Sequence, residues 1–473
     1  MKAGHLSAPL SRRLRERGHR VHDDLPLVDA VSATVDCGDL GALAADADVE
    51  SLSLDAPLVP SGALETGGDP AVTPPDLRGL MKADDISATG RGVTVAVIDS
   101  GIADLPDFAG RLQAFDCLDG PCRRVDPSDE YGHGTHIAGL IGSSGRQSGG
   151  SWPGLAPDVH LVSLRVLDEH GAGTTSSAIR ALAFIVDNRV RLGIDVVNLS
   201  LGHPIYESSA SDPLVQAVEG AVRAGLVVVV AAGNVGMNPA TAQVGYAGIL
   251  SPGNAPSAIT VGTVRTHGSV DRTDDEVAPF SSRGPSWFDG TAKPDVVAPG
   301  MRLVADVPAD AGVMQLHPEW QVSGPAGTRG WYARLTGTSM SAATTSAAAA
   351  LLLDAARQVD RRHAWLSPYA VKAVLEYTAT RLASDDALSQ GAGEVNVDGA
   401  LRMARRLVAG EPLDHAAGSQ EWGRHIIWGA TDVELLSASN IVWGNNIVWG
   451  NNIVWGNNIV WGNNIVWGNN IVW

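Results

Sequence analysis

Residues 226–234 read LVVVVAAGN. Five large aliphatic side chains in a row, four of them β-branched, leave no polar face, so the run reads as a strand covered on both sides and ended by a Gly-Asn turn. Runs of the same character lie around it: VTVAVID at 93–99, HLVSLRVL at 160–167, DVVNLSLG at 195–202 and AITVGTV at 258–264. Amphipathic stretches such as TSSAIRALAFIVDNRVRLG at 175–193 separate them. Strands like these alternating with helices predict an α/β domain on a mostly parallel sheet, covered on both faces.

In such sheets chemistry collects beyond the carboxyl ends of the strands. Asp99 closes one run, Ser200, Leu201 and Gly202 close another, and Ala231, Ala232, Gly233 and Asn234 close the opening one. YGHGTHIAGLIGSS, residues 131–144, reads as a Gly-rich turn into a helix that starts near His133. Farther on, TGTSMSAATTS at 336–346 carries seven hydroxyls. A hydroxyl is a poor nucleophile at neutral pH, so Ser339 could attack a carbonyl only beside a base that a third group orients. Asp99 can fix an imidazole tautomer, His133 can relay the proton, and Asn234 can donate its amide N–H to a developing oxyanion.

Composition narrows the alternatives. A chain of 473 residues, 44% hydrophobic and with a net charge of -18, can bury a sizeable core. Without a long Lys/Arg run it is no candidate for nucleic-acid binding. No apolar run approaches the ~20 residues of a membrane span, and the first twenty residues lack a continuous apolar stretch of the secretory kind. Of three cysteines, Cys37 stands alone, while Cys117 and Cys122 flank a Gly-Pro turn whose spacing permits either a small disulfide loop or two free thiols.

Both ends differ from the middle. Residues 1–58 read as a small αββαβ unit, and the Pro- and Gly-rich 59–80 as an exposed linker suited to cleavage. The main domain spans 81–408, and 409–439 reads as a second linker. From Asn440 to Trp473 the hexapeptide NIVWGN repeats. That array reads either as one continuous strand or as a hairpin meander, against the alternative of an unstructured tail. Rich in Ile, Val and Trp and free of charge, it favours β pairing.

VAVIDSGI, YGHGTHIAG, VVAAGNVG and LTGTSMSAA occur in that order, and the chain resembles the subtilisin-like serine proteases (peptidase S8) through their Asp, His, oxyanion-Asn and Ser motifs. NLSLG, FSSRGP, KPDVVAPG and GLAPDVHLVSLRVLD extend the resemblance over about residues 80–405. It implies a three-layer α/β fold and a serine endopeptidase with Asp99 as orienter, His133 rather than His136 as base, Asn234 as oxyanion donor and Ser339 as nucleophile. Protein or peptide substrates would lie extended along Ser200, Leu201 and Gly202, with Ala231, Ala232 and Gly233 walling a pocket whose lack of acidic residues favours apolar side chains before the cut. The other six hydroxyls of 336–346 are expected to be mute. The family's Pro after the nucleophile is replaced by Ala343, so the helix start loses a fixed φ angle, which is expected to alter the helix geometry little because Ala is an excellent helix former.

Catalysis of this type needs no cofactor. The family often binds structural calcium, and Asp107 resembles one ligand, although the usual loop is replaced by SSGRQSGGSWPG. The N-terminal unit resembles the family's propeptide, an intramolecular inhibitor and chaperone removed by self-processing, with its first strand missing before Leu10. With a leader missing at the same end, Met1 is expected to be an internal or misassigned start, and the mature protein to be secreted or at the cell surface; a cytoplasmic form is the alternative. Losing Cys37 with the propeptide would leave an even pair of cysteines, as an oxidising compartment favours. The competing reading from another class is a non-catalytic scaffold of the same fold, acting through self-association or adhesion of its Trp-rich tail.

Overall fold

The computed structural model describes residues 2–3, 7–61, 76–83, 86–325, 328, 330–360, 366–383, 385–411, 422–428, 431–434 and six short strands between 441 and 472. Strand Thr94–Asp99 lies inside a nine-stranded sheet, paired in parallel with Ile194–Leu199 on one side and His160–Arg165 on the other. Val227–Ala231, Ile259–Arg265 and Val296–Pro299 continue the parallel order one way and Leu112–Asp116 the other. Only the short strands Glu276–Val277 and Arg123–Val125 run antiparallel.

Alternation along each strand feeds two cores. Val95 and Val97 pack with Ile137 and Ile141 of helix His133–Gly142 and with Ala347 and Leu351 of helix Thr338–Val359. Ala96 and Ile98 face the opposite side, against Ile179 and Leu182 of helix Thr175–Leu192 and Val218 of helix Pro213–Arg223. The sheet is therefore the middle of three layers, and its parallel strands reach both cores because neither face is polar. Thr338–Val359 is buried from Thr338 to Ala356, which its run of small side chains permits.

The N-terminal unit has a four-stranded antiparallel sheet in the order Arg20–Leu25, Ala30–Thr34, Lys2–Ala3, Val49–Ser51, over a core of Leu10, Leu14, Val31, Leu43 and Val49. The strand expected to be missing before Leu10 is present: two residues suffice, because Lys2–Ala3 pairs on both edges, a signal too short to read from sequence. This unit rests on the helices of the second face. Asp55 accepts bonds from the N–H and hydroxyl of Ser176, both at 2.8 Å, in the first turn of Thr175–Leu192, and Arg180 pairs with Asp23.

Both expected linkers, 59–80 and 409–439, hold ordered elements among their described residues, while 62–75 and 412–421 lie outside the described residues. Pro57–Pro60 is a strand inserted between Gly173–Thr174 and Leu201–Gly202, antiparallel to both. Near the other end, Trp422, Ile426 and Ile427 are buried, and His425–Trp428 pairs with Thr431–Glu434 as a hairpin. The Ile427 N–H donates to Glu376 at 3.2 Å, and the N–H groups of Gly423 and Arg424 donate to the carbonyls of Ala379 and Tyr377. Burial pushes the Glu376 carboxyl up to about 8. This segment belongs to the large domain, which the composition shift after Gly410 conceals.

In the array, Ile441–Trp443, Ile453–Trp455 and Ile465–Trp467 form one parallel sheet, and Ile447–Trp449, Ile459–Trp461 and Ile471–Val472 another. Pairing thus skips one hexapeptide, for a rung of twelve residues with Ile on Ile and Val on Val. Neither the continuous strand nor the antiparallel meander is adopted, since consecutive triplets lie in different sheets.

Candidate active site

Asp99 ends its strand and His133 begins its helix, and the Asp99 carboxylate receives His133 Nδ1 at 2.8 and 3.0 Å, both side chains fully buried. Glycine makes this approach possible: a Cβ on Gly134 would lie 2.1 Å from the Gly101 carbonyl oxygen. Gly132, at φ 98°, turns the chain into the helix. Asp129 fixes that turn by accepting from the N–H groups of Gly132 and Thr135 at 2.8 Å and from the Thr135 hydroxyl at 2.6 Å. Held at Nδ1 by a carboxylate, the His133 ring keeps its proton there and leaves the lone pair on Nε2, which has no hydrogen-bond partner among the described residues. His136 differs: its Nε2 lies 3.1 Å from the carbonyls of both Leu303 and Ala333, and burial pulls it down to about 3, so it is a neutral structural donor.

Ser339 is the second residue of helix Thr338–Val359. Its hydroxyl donates to the Ser200 carbonyl at 2.9 Å, not to His133. Its backbone N–H donates at 3.0 Å to the carbonyl oxygen of Ser61, and Asn234 Nδ2 donates to the same oxygen at 2.6 Å. The Asn234 amide is oriented from behind, since its Oδ1 accepts from the N–H and hydroxyl of Thr338, each at 3.0 Å. The Ser61 N–H donates to the Ser200 carbonyl at 2.9 Å, while Pro60 and Val59 pair with Leu201 and Gly202. One carbonyl of the chain itself is therefore held by two convergent donors beside the Ser339 hydroxyl. Donors converging on one carbonyl oxygen in this way can polarise its carbon. Within the inserted strand, Leu58 is fully buried and Val59 is 53% exposed.

Ala231, Ala232 and Gly233 make no hydrogen bond to this strand. They bond instead to Val261, Leu250 and Ser282, and Gly233, at φ 109°, has Leu250 where a Cβ would stand. The expected mute hydroxyls are mostly engaged: Thr338 sets Asn234, Ser341 donates to the Ala298 carbonyl, and Ser346 donates to Asn198. Ala343 is the sixth residue of its helix and lies inside it, not at its start. Ser61 and Asp129 went unmarked in the sequence because neither belongs to a run with a chemical signature, while Asn198 stood in NLSLG without a role and Ser346 was expected to be mute.

Asp107 is buried, and its carboxylate accepts from the Ser144 hydroxyl at 2.7 Å and from the N–H groups of Arg146 and Gln147 at 2.5 and 3.2 Å. Burial and the neighbouring Asp107 push Asp306 up to about 7. The Asp107 oxygens are taken up by N–H and O–H donors, which assigns Asp107 to holding this loop, whereas both Asp306 carboxylate oxygens have no hydrogen-bond partner among the described residues. Among the described residues no group of three His, Cys, Asp or Glu could hold a metal. Cys117 and Cys122 are joined by a disulfide, and Cys37 is free and exposed. No described helix is long and apolar enough to cross a membrane.

Residues 90–395 match the family described as Peptidase_S8, the subtilase family. Serine protease AprX of Bacillus subtilis (strain 168) is 36% identical over 318 residues, 66% of this chain and 67% of that protein. Subtilisin E of the same strain is 32% identical over 393 residues, 82% of this chain and 85% of that protein. The crystal structure of a cold adapted subtilisin-like serine proteinase, 27% identical, covers 66% of this chain and 89% of that one at a TM-score of 0.45.

The Asp107 loop yields a measurable expectation. Asp107→Ala orphans several buried donors and should lower stability by about 1–3 kcal/mol, by the same amount with and without millimolar calcium. A calcium-dependent rise in Tm that the wild type shows and the variant lacks would contradict this assignment.

Proposed function

The chain belongs to the subtilase family and is a subtilisin-like serine endopeptidase, and we propose that it first cuts itself between Ser61 and Gly62, using Asp99, His133 and Ser339 with Asn234 as oxyanion donor. The observation that carries this reading is the Ser61 carbonyl oxygen between Asn234 Nδ2 and the Ser339 N–H. The Ser339 hydroxyl leaves the Ser200 carbonyl, gives its proton to His133 Nε2 and bonds to the Ser61 carbon, while the two donors take up the negative oxygen. Asp99 steadies the imidazolium. The proton then passes to the Gly62 nitrogen as the 61–62 bond breaks, and water, activated by the same His133, releases the Ser61 carboxyl and restores the hydroxyl.

After the cut, residues 1–61 remain an inhibitor in place. Strand pairing along 57–60, the Asp55 contact with Ser176 and the Asp23–Arg180 pair all survive the loss of one peptide bond. Substrate proteins take the same path through the cleft. The self-derived occupant modifies the expected preference: a small residue, like Ser61, sits before the cut, and a buried aliphatic one, like Leu58, sits three positions earlier. The mature protein loses Cys37 and keeps the Cys117–Cys122 bridge, which favours an oxidising exterior over the cytoplasm. We assign the NIVWGN array to self-association, because its in-register rungs offer identical edges to a second copy.

Purified wild-type protein should give a fragment ending at Ser61 and a new N-terminus at Gly62 by mass spectrometry, and Ser339→Ala should stay uncut. A cut at another bond, or an unchanged cut in the variant, would overturn self-processing. Separately, deleting residues 440–473 should reduce the sedimentation coefficient at high concentration beyond the loss of mass. Identical concentration dependence in both forms removes the role assigned to the array.

A further inference from the structure

Three buried polar side chains run in line behind the nucleophile. Ser346, two helical turns beyond Ser339, donates its hydroxyl to Asn198 Oδ1 at 2.9 Å. Asn198 Nδ2 donates to the Ser200 hydroxyl at 2.9 Å, and that hydroxyl donates to the Ser339 carbonyl at 3.0 Å. All four residues are fully buried. A buried hydroxyl or amide costs stability unless it is bonded, so a line with each named link satisfied indicates a task beyond filling space.

Ser200 holds Ser339 twice: its hydroxyl reaches the Ser339 carbonyl, and its own carbonyl accepts both the Ser339 hydroxyl and the Ser61 N–H. At the far end Ser346 decides which way the Asn198 amide points. With Oδ1 occupied by the Ser346 hydroxyl, Nδ2 must face Ser200; without it the amide can turn over and present an oxygen there. The peptide plane after Ser339, and with it the direction of the Ser339 side chain, is thus set from the helix and the sheet together.

We propose that Ser346 and Asn198 are positioning residues that act through the Ser200 hydroxyl to aim Ser339 at the bound carbonyl. This rests on the reading of Ser339 as nucleophile and adds to it a line of control from residues that touch no substrate.

The test uses the full chain and two readouts, the second-order rate of labelling by a fluorophosphonate and kcat and KM on a peptide ending in Leu-Val-Pro-Ser before the cut. Ser346→Ala should lower the labelling rate and kcat about tenfold, roughly the effect of one hydrogen bond, with KM within twofold and Tm nearly unchanged. Ser346→Thr, which keeps the hydroxyl, should recover most of the rate. Ser200→Ala should match Ser346→Ala, and the double variant should be no slower than either, because links of one line are not additive. Wild-type rates in both Ser346→Ala and Ser200→Ala, or additive losses in the double variant, would overturn the proposal. If Ser346→Ala does not fold, Ser200→Ala at the wild-type rate does so alone. Failure of the wild type itself to label at Ser339 would instead defeat the nucleophile assignment on which the proposal stands.

Discussion

One carbonyl oxygen organises this molecule. The oxygen of Ser61 is held by the Asn234 amide and by the backbone N–H of Ser339, groups contributed by a strand end and by the first turn of a central helix. Neither donor is free to follow the carbonyl, because Thr338 grips the other end of the Asn234 amide and the helix fixes the Ser339 N–H. The chain must therefore come to them. It does so as a strand, with Pro57–Pro60 paired on both edges and Leu58 buried, so that backbone pairing delivers residue 61 to the donors. Donors fixed before reaction avoid the reorganisation that water would need, which is the main advantage of such a site.

The parallel sheet makes this arrangement possible. Strands Thr94–Asp99, Ile194–Leu199 and Val227–Ala231 run the same way, so Asp99, Ser200 and Asn234 emerge at one edge. His133 reaches Asp99 because Gly134 and Gly101 let a helix start against a strand end, where any Cβ would collide. The second half of the site comes from Thr338–Val359, whose small side chains let it lie buried between sheet and helices. Its hydroxyls bond to carbonyls and amides of the sheet, so the low side-chain volume that allows burial also brings polar groups close enough to pair.

Much of this was legible in the sequence. The strands could be read because runs such as LVVVVAAGN have no polar face, and Asp99, His133, Asn234 and Ser339 because each stands at the end of such a run or within a motif. The place of Ser61 was not, because PLVPS has no periodicity and its position depends on pairing with residues more than a hundred positions away. Trp422 and Ile427 read as linker for the same reason: their burial depends on Tyr377 and Glu376, not on their neighbours in sequence. Ser346 looked like helix packing since nothing local points to Asn198. The two-residue strand Lys2–Ala3 lies below the length at which any pattern exists.

The account depends on Asn234 acting upon the carbonyl of Ser61. The most direct measurement is the first-order rate of self-cleavage in Asn234→Ala, followed by intact mass. The account predicts a rate lower by about 10²–10³, with the cut still between Ser61 and Gly62. Cleavage at the wild-type rate, or at a different bond, would contradict it.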